Sequence, residues 1–205
     1  MKLYYLPGAC TLAGHIVLEW IGAPYEAVRL GHDSLKTSAR QAQPGGLAVP
    51  MLEHTDFALT ENMAMLGYLA DLHPETGLLG DGTPRARAEI MGWLGFLCAD
   101  VHMAFLPIFK ASLFLKEETL AGALAENARE HVRTQLEQLD ARLDGRDWLA
   151  GTRSVADAYL FVILRWAVGM DIGLYGLDHL MRFARRMEAD PAVQAALFAE
   201  EGIPA

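Results

Sequence analysis

The chain has 205 residues, 52% hydrophobic and 21% charged, which excludes the disordered class and allows a sizeable core without a disulfide or metal staple. Its formal charge of −9 argues against a nucleic-acid partner, and its longest uninterrupted apolar run, Ala158 to Leu164, is far short of the ~18 residues of a membrane span. Two cysteines, Cys10 and Cys98, make no disulfide framework; with no export signal visible, both are read as reduced thiols in a cytoplasmic protein.

Lys2 to Leu6 is β-prone and stops at the Pro7-Gly8 turn signal. Leu12, Ile16 and Trp20 recur at helical spacing, with Gly22 at the C-cap position and Pro24 beyond it. Tyr25 to Leu30 reads as a second strand, and the polar stretch from His32 to Gln43 has room for one short helix. Val49–Leu52 and Phe57–Leu59 flank a polar turn and form a hairpin; Thr60 then caps a helix from about Glu61 to Asp71. The order β-α-β-(α)-β-β-α gives a small mixed sheet with its first two strands parallel.

Pro74 to Pro84 is rich in proline and glycine and reads as a linker, after which no convincing strand appears. Thr83-Pro84 opens a long helix carrying Ile90, Leu94, Leu97, Val101, Phe105 and Ile108, with a kink expected at Pro107. Glu117 to Leu143 is a second, amphipathic helix. Ser154 to Asp157 has capping-box spacing and opens a helix so apolar that it belongs in the middle of a helical core. Asp190-Pro191 opens a last short helix. The fold class is therefore α/β followed by all-α: a thioredoxin-like domain (1–76), a linker (77–84) and an all-helical domain (85–205).

Cys10 lies between a strand and a helix start, where the helix dipole and unpaired N–H groups should lower a thiol pKa. Ala13 excludes a Cys-x-x-Cys pair. Thr60-Glu61-Asn62 stands at a helix start suited to a carboxylate or, through Glu61, an ammonium group; capping alone would also explain these residues. Gly95, Cys98, His102 and Phe105 form a stripe expected to line a groove, where His102 serves as donor, acid or base, or as a structural histidine. The seven histidines show no pair at i, i+4, so no metal site is expected, and neither a phosphate-cradling loop nor a nucleophile elbow is present.

Together these segments resemble the cytosolic glutathione transferases, specifically the bacterial beta class. The opening through Pro7-Gly8-Ala9-Cys10, then Val49-Pro50, Leu59-Thr60-Glu61, and Ser154 to Leu160 continuing to Trp166, match its motifs in order along the whole chain. The resemblance implies a transferase that holds glutathione as thiolate and conjugates it to small hydrophobic electrophiles, with glutathione as co-substrate and no other cofactor. It implies Cys10 and His102 as catalytic residues; Tyr5, Lys36, Val49, Pro50 (in a cis bond), Glu61 and Asn62 on glutathione; Phe105 and Trp166 at the hydrophobic pocket; and Ser154 and Asp157 as the structural cap. It also implies a homodimer. Leu6, Gly95 and Met103 replace polar residues common in relatives and make the groove more apolar. Two competing functions are a monothiol glutathione-dependent oxidoreductase working through Cys10 and a non-catalytic binder of glutathione or hydrophobic ligands.

Overall fold

The computed structural model describes residues 1–31 and 50–201. Strand β1 (Lys2–Tyr5) turns Leu3 and Tyr5 inward, while Lys2 pairs at 3.3 Å with Glu26 opposite it. Helix α1 (Leu12–Ile21) buries Leu12, Ala13, Ile16 and Val17 and ends at Gly22, whose φ of 72° lets its N–H reach the Leu18 carbonyl at 2.9 Å. Strand β2 (Glu26–Arg29) then runs parallel to β1. Strands β3 (Met51–His54) and β4 (Phe57–Thr60) form an antiparallel hairpin, and the sheet order is β2-β1-β3-β4. The hairpin turn is tighter than expected, because Glu53 and His54 belong to the ladder. Thr60 is also in the ladder; the residue that caps helix α2 (Asn62–Leu72) is Glu61.

In the helical part, Thr83 Oγ1 accepts the Ala86 N–H at 3.2 Å and starts α3 (Pro84–Phe96) with proline at its first position. A π-helical turn, Leu97–Val101, joins α3 to α4 (His102–Phe109). The expected break at Pro107 is thus preceded by a different one: α-helical geometry is lost at the π turn Leu97–Val101, while α4 continues through Pro107 to Phe109. Helix α5 (Ala121–Arg142) starts later than expected, after a 3-10 turn at Glu118–Leu120. Helix α6 (Val155–Gly169) is buried on nearly every side, against α1, α2, α3 and α7 (Asp178–Glu188). Helix α8 (Pro191–Glu201) returns to α1, where His15 Nδ1 and Glu200 Oε1 meet at 3.2 Å in the core.

One hydrophobic core runs through both parts. Leu78, in the segment read as a linker, is buried, and its carbonyl accepts the Val155 N–H at 3.1 Å, so this segment is pinned to the start of α6. The run Pro84–Phe109 is 26 residues long and contains an 18-residue window of mean hydropathy 1.5, enough by length and composition for a membrane span, which a search for unbroken apolar runs overlooks. Here its apolar face packs on α5 and α6.

Candidate active site

A cavity of 760 Å³ opens where the sheet meets the helices, and Cys10, Pro50, Glu61, Asn62, His102 and Tyr159 are among its walls. Cys10 reaches it because the Gly8 turn (φ 74°) and the Ala9 N–H to Leu6 carbonyl bond fold the chain back just before α1. The thiol is only 7% exposed. Its pKa is not lowered, as the sequence suggested, but pushed up to about 12, first by burial and then by the neighbouring Cys98. The helix start does little to offset this. The Leu12 and Ala13 N–H groups are already engaged by the Ala9 and Cys10 carbonyls at 3.2 and 3.1 Å.

The start of α2 is built differently. Glu61 has φ 70° and ψ 119°, a region that disfavours side chains, and it offers no side-chain cap. Asn62 is 5% exposed, and neither its amide oxygen nor its nitrogen has a hydrogen-bond partner among the described residues. It lies alongside the Tyr159 phenol but outside bonding geometry. A buried polar group left this way is costly unless something else fills the gap. His102 follows the π turn, with Nδ1 at 2.5 Å from the Tyr159 hydroxyl and its ring centroid 4.7 Å from that of Trp166. Burial lowers its pKa, so the imidazole is neutral at neutral pH, while burial raises that of Tyr159. The arrangement offers one cavity with a helix start for a carboxylate, two thiols, and a neutral imidazole linked to a phenol. Among the described residues no cluster of three His, Cys, Asp or Glu side chains could hold a metal ion.

A glutathione S-transferase of Xanthomonas campestris is 49% identical to this chain over 202 residues, spanning 98% of each. The chain belongs to the glutathione S-transferase family. The family model for the glutathione S-transferase C-terminal domain matches residues 99–191. The solved glutathione S-transferase of Xylella fastidiosa superposes with a TM-score of 0.91 at 45% identity, over 97% of this chain and 98% of that one. The bacterial beta-class glutathione S-transferase of Sphingomonas chungbukensis superposes with a TM-score of 0.82 at 34% identity, over 99% of this chain and 100% of that one. The family resemblance and the fold class read from the sequence are both shown by these matches.

Within this transferase, seven of the residues singled out from sequence meet at the cavity: Cys10, Pro50, Glu61, Asn62, Cys98, His102 and Met103. Lys36 and Val49 lie outside the described residues. Tyr5 is not at the cavity; its hydroxyl donates to the Ala199 carbonyl at 3.2 Å, because inward alternation on β1 sends it toward α8. Phe105 is fully buried and serves the core rather than a pocket, since the helix face it shares with Leu97 and Val101 is the core face. Gly95, expected on the groove stripe with it, is likewise not among the cavity walls. Trp166 stands behind the cavity, its indole N–H donating to the Gly8 carbonyl at 2.7 Å and its ring against His102. It holds the Cys10 turn to the helical part. Sequence reasoning missed Tyr159, hidden in an apolar run; a phenol in such a run needs a partner for its hydroxyl, and that was the available signal.

Proposed function

We propose that this chain binds glutathione in the 760 Å³ cavity and conjugates its sulfur to small hydrophobic electrophiles. The observation that carries this is the unpartnered, buried Asn62 amide at the open start of α2, facing the same space as Cys10 and His102 in a member of the glutathione S-transferase family. The γ-glutamyl carboxylate takes the α2 N–H groups and Asn62, and Glu61 takes the ammonium group. The glutathione sulfur then lies beside Cys10. A thiol held near pKa 12 stays protonated at neutral pH and acts as an S–H donor, not as the nucleophile. A free thiol is only a few per cent ionised at about pH 7; lowering the pKa of the bound glutathione by ~2 units makes most of it reactive. Burial of Cys10 likewise disfavours the monothiol reading through that residue.

The exposed Met103 at the cavity mouth supports an apolar second substrate. A homodimer, covering exposed apolar side chains such as Phe57 and Leu72, and a cytoplasmic setting belong to the same proposal. Steady-state rates with glutathione and an electrophilic aromatic halide test it. A glutathione-dependent rate that rises with pH is expected; no rate above background between about pH 6 and 8 overturns it in favour of a non-catalytic binder.

A further inference from the structure

Cys98 takes no part in the conjugation above, yet it lines the same cavity. It lies in the π turn Leu97–Val101, four residues before His102, and is half-buried where Cys10 is nearly sealed. A π turn inserts one residue into a helix, re-aims the side chains around it, and is frequent at functional sites. Two groups face the sulfur and favour its anion: the Tyr159 hydroxyl on α6 and the Met63 N–H in the first turn of α2. Next to Met63 stands Asn62, nine-tenths buried and unpartnered, on the wall of the same cavity. The thiol, the open helix start and the waiting amide therefore share one space, sized for a ligand that carries both a sulfur and a carboxylate.

We propose that Cys98 is a second reactive thiol of this cavity and accepts the glutathionyl group from disulfides, with Tyr159 and His102 relaying its proton. This rests on the reading that the cavity takes glutathione. The Cys98 proton passes to Tyr159 Oη as that oxygen gives its own proton to His102 Nδ1, across the 2.5 Å bond already present. The Cys98 sulfur attacks the glutathione sulfur of a mixed disulfide; the old S–S bond breaks, and its electron pair leaves on the other sulfur, which collects the proton from His102. A glutathione thiolate then attacks the glutathionyl sulfur on Cys98. Glutathione disulfide departs, and Cys98 takes back a proton. In sum, one mixed disulfide and one glutathione give one thiol and one glutathione disulfide.

Burial pushes the Cys98 thiol up to about 11, with Glu61 adding to the rise and Tyr159 and the Met63 N–H opposing it; Cys10 is the other titratable group beside it. Without a relay, labelling would speed up about tenfold per pH unit between about pH 7 and 9 as the thiolate fraction grows, so the relay should show as a shallower rise in the wild type.

The test is to incubate the full-length protein with glutathione disulfide, digest it in acid, and locate the adduct by peptide mass spectrometry. The expected adduct is on Cys98; an adduct on Cys10 alone, or on neither residue, overturns the proposal. Cys98→Ser should cut adduct formation at least tenfold, and the wild-type map decides the matter even if that variant folds poorly. Tyr159→Phe should slow labelling about tenfold near pH 7 and less near pH 9, where the thiolate forms without a relay. Equal slowing at both values overturns the relay. The halide assay uses no disulfide, so failure of the conjugation reading and failure of this one are separately visible.

Discussion

Two helix starts in this chain meet the same need in opposite ways. At α6, the Asp157 carboxylate accepts the Leu149 and Ser154 N–H groups, both at 2.9 Å, and the Ser154 hydroxyl at 2.7 Å. The capping box is complete, buried and filled entirely by the protein itself. At α2, the cap residue Glu61 is strained and its side chain does not cap the helix, and Asn62 is buried without a partner among the described residues. A fold that satisfies one helix start so fully does not leave the other open by poverty of means. The first end is finished for folding; the second is left for a ligand to finish.

The sharpest way to break this contrast is to remove the finished cap. Asp157→Ala leaves three buried donors unsatisfied and should cost about 3 kcal/mol or more of stability, read from denaturant midpoints. If the loss is within about 0.5 kcal/mol, as for an ordinary surface change, the cap does not hold the fold. The same carboxyl gives a pH signature. Burial pushes Asp157 up to about 6, against its several donors, which is above its value in an unfolded chain. By linkage the folded state takes up a proton first, so this group's contribution is full below about pH 4 and is lost as pH rises through about 6. Stability of the wild type relative to Asp157→Asn should therefore increase on going from about pH 7 to pH 5; a decrease would reverse the assignment.

At the open end the expectation runs the other way. Asn62→Ala removes a buried amide that holds nothing in the ligand-free chain, so stability should change by less than about 1 kcal/mol in either direction. The KM for glutathione should rise about tenfold, with kcat moving less, as the interaction lost is made in the ground state too. A large loss of stability with unchanged KM would mean that the amide serves the fold after all.

The two ends also differ in how far they could be read from sequence, and for the same reason. Ser154 and Asp157 sit three residues apart, and their bonds are local, so spacing alone revealed the cap. The strand order and most of the helices among the described residues were legible in the same way, from period and punctuation; the short helix expected between His32 and Gln43 lies outside them. Cys10 was placed correctly at a strand-to-helix turn, but its pKa depends on burial by distant segments, which no local pattern encodes. Phe105 shows the same limit: a helical stripe names a face without saying whether that face meets a groove or a core. The π turn shifts the stripe by one residue and separates Cys98 and His102, which line the cavity, from Phe105, which does not. Helix α7 gave no expectation at all. Its Leu180, Phe183 and Met187 do recur at helical spacing, but between arginines that anchor to the Leu143 and Asp147 carbonyls across the fold. The His15–Glu200 pair joins residues 185 apart and had no local signal.

The smallest effect expected is also the most discriminating, because it asks whether strain at the open end has a purpose. Glu61 is held at φ 70°, ψ 119°, where glycine rests easily and a side chain costs roughly 1 kcal/mol or more. Glu61→Gly should therefore relieve strain and raise the Tm by about 2–4 °C, less whatever the freer unfolded chain takes back. If the strain exists to aim the carboxylate at a ligand ammonium group, the same change must raise the KM for glutathione while the protein becomes more stable. Gain of stability with loss of affinity is the mark of a site maintained against the interest of the fold. Gain of stability with affinity intact would make the strained turn a by-product of joining β4 to α2, and the open helix start would then owe its ligand to Asn62 and the backbone alone.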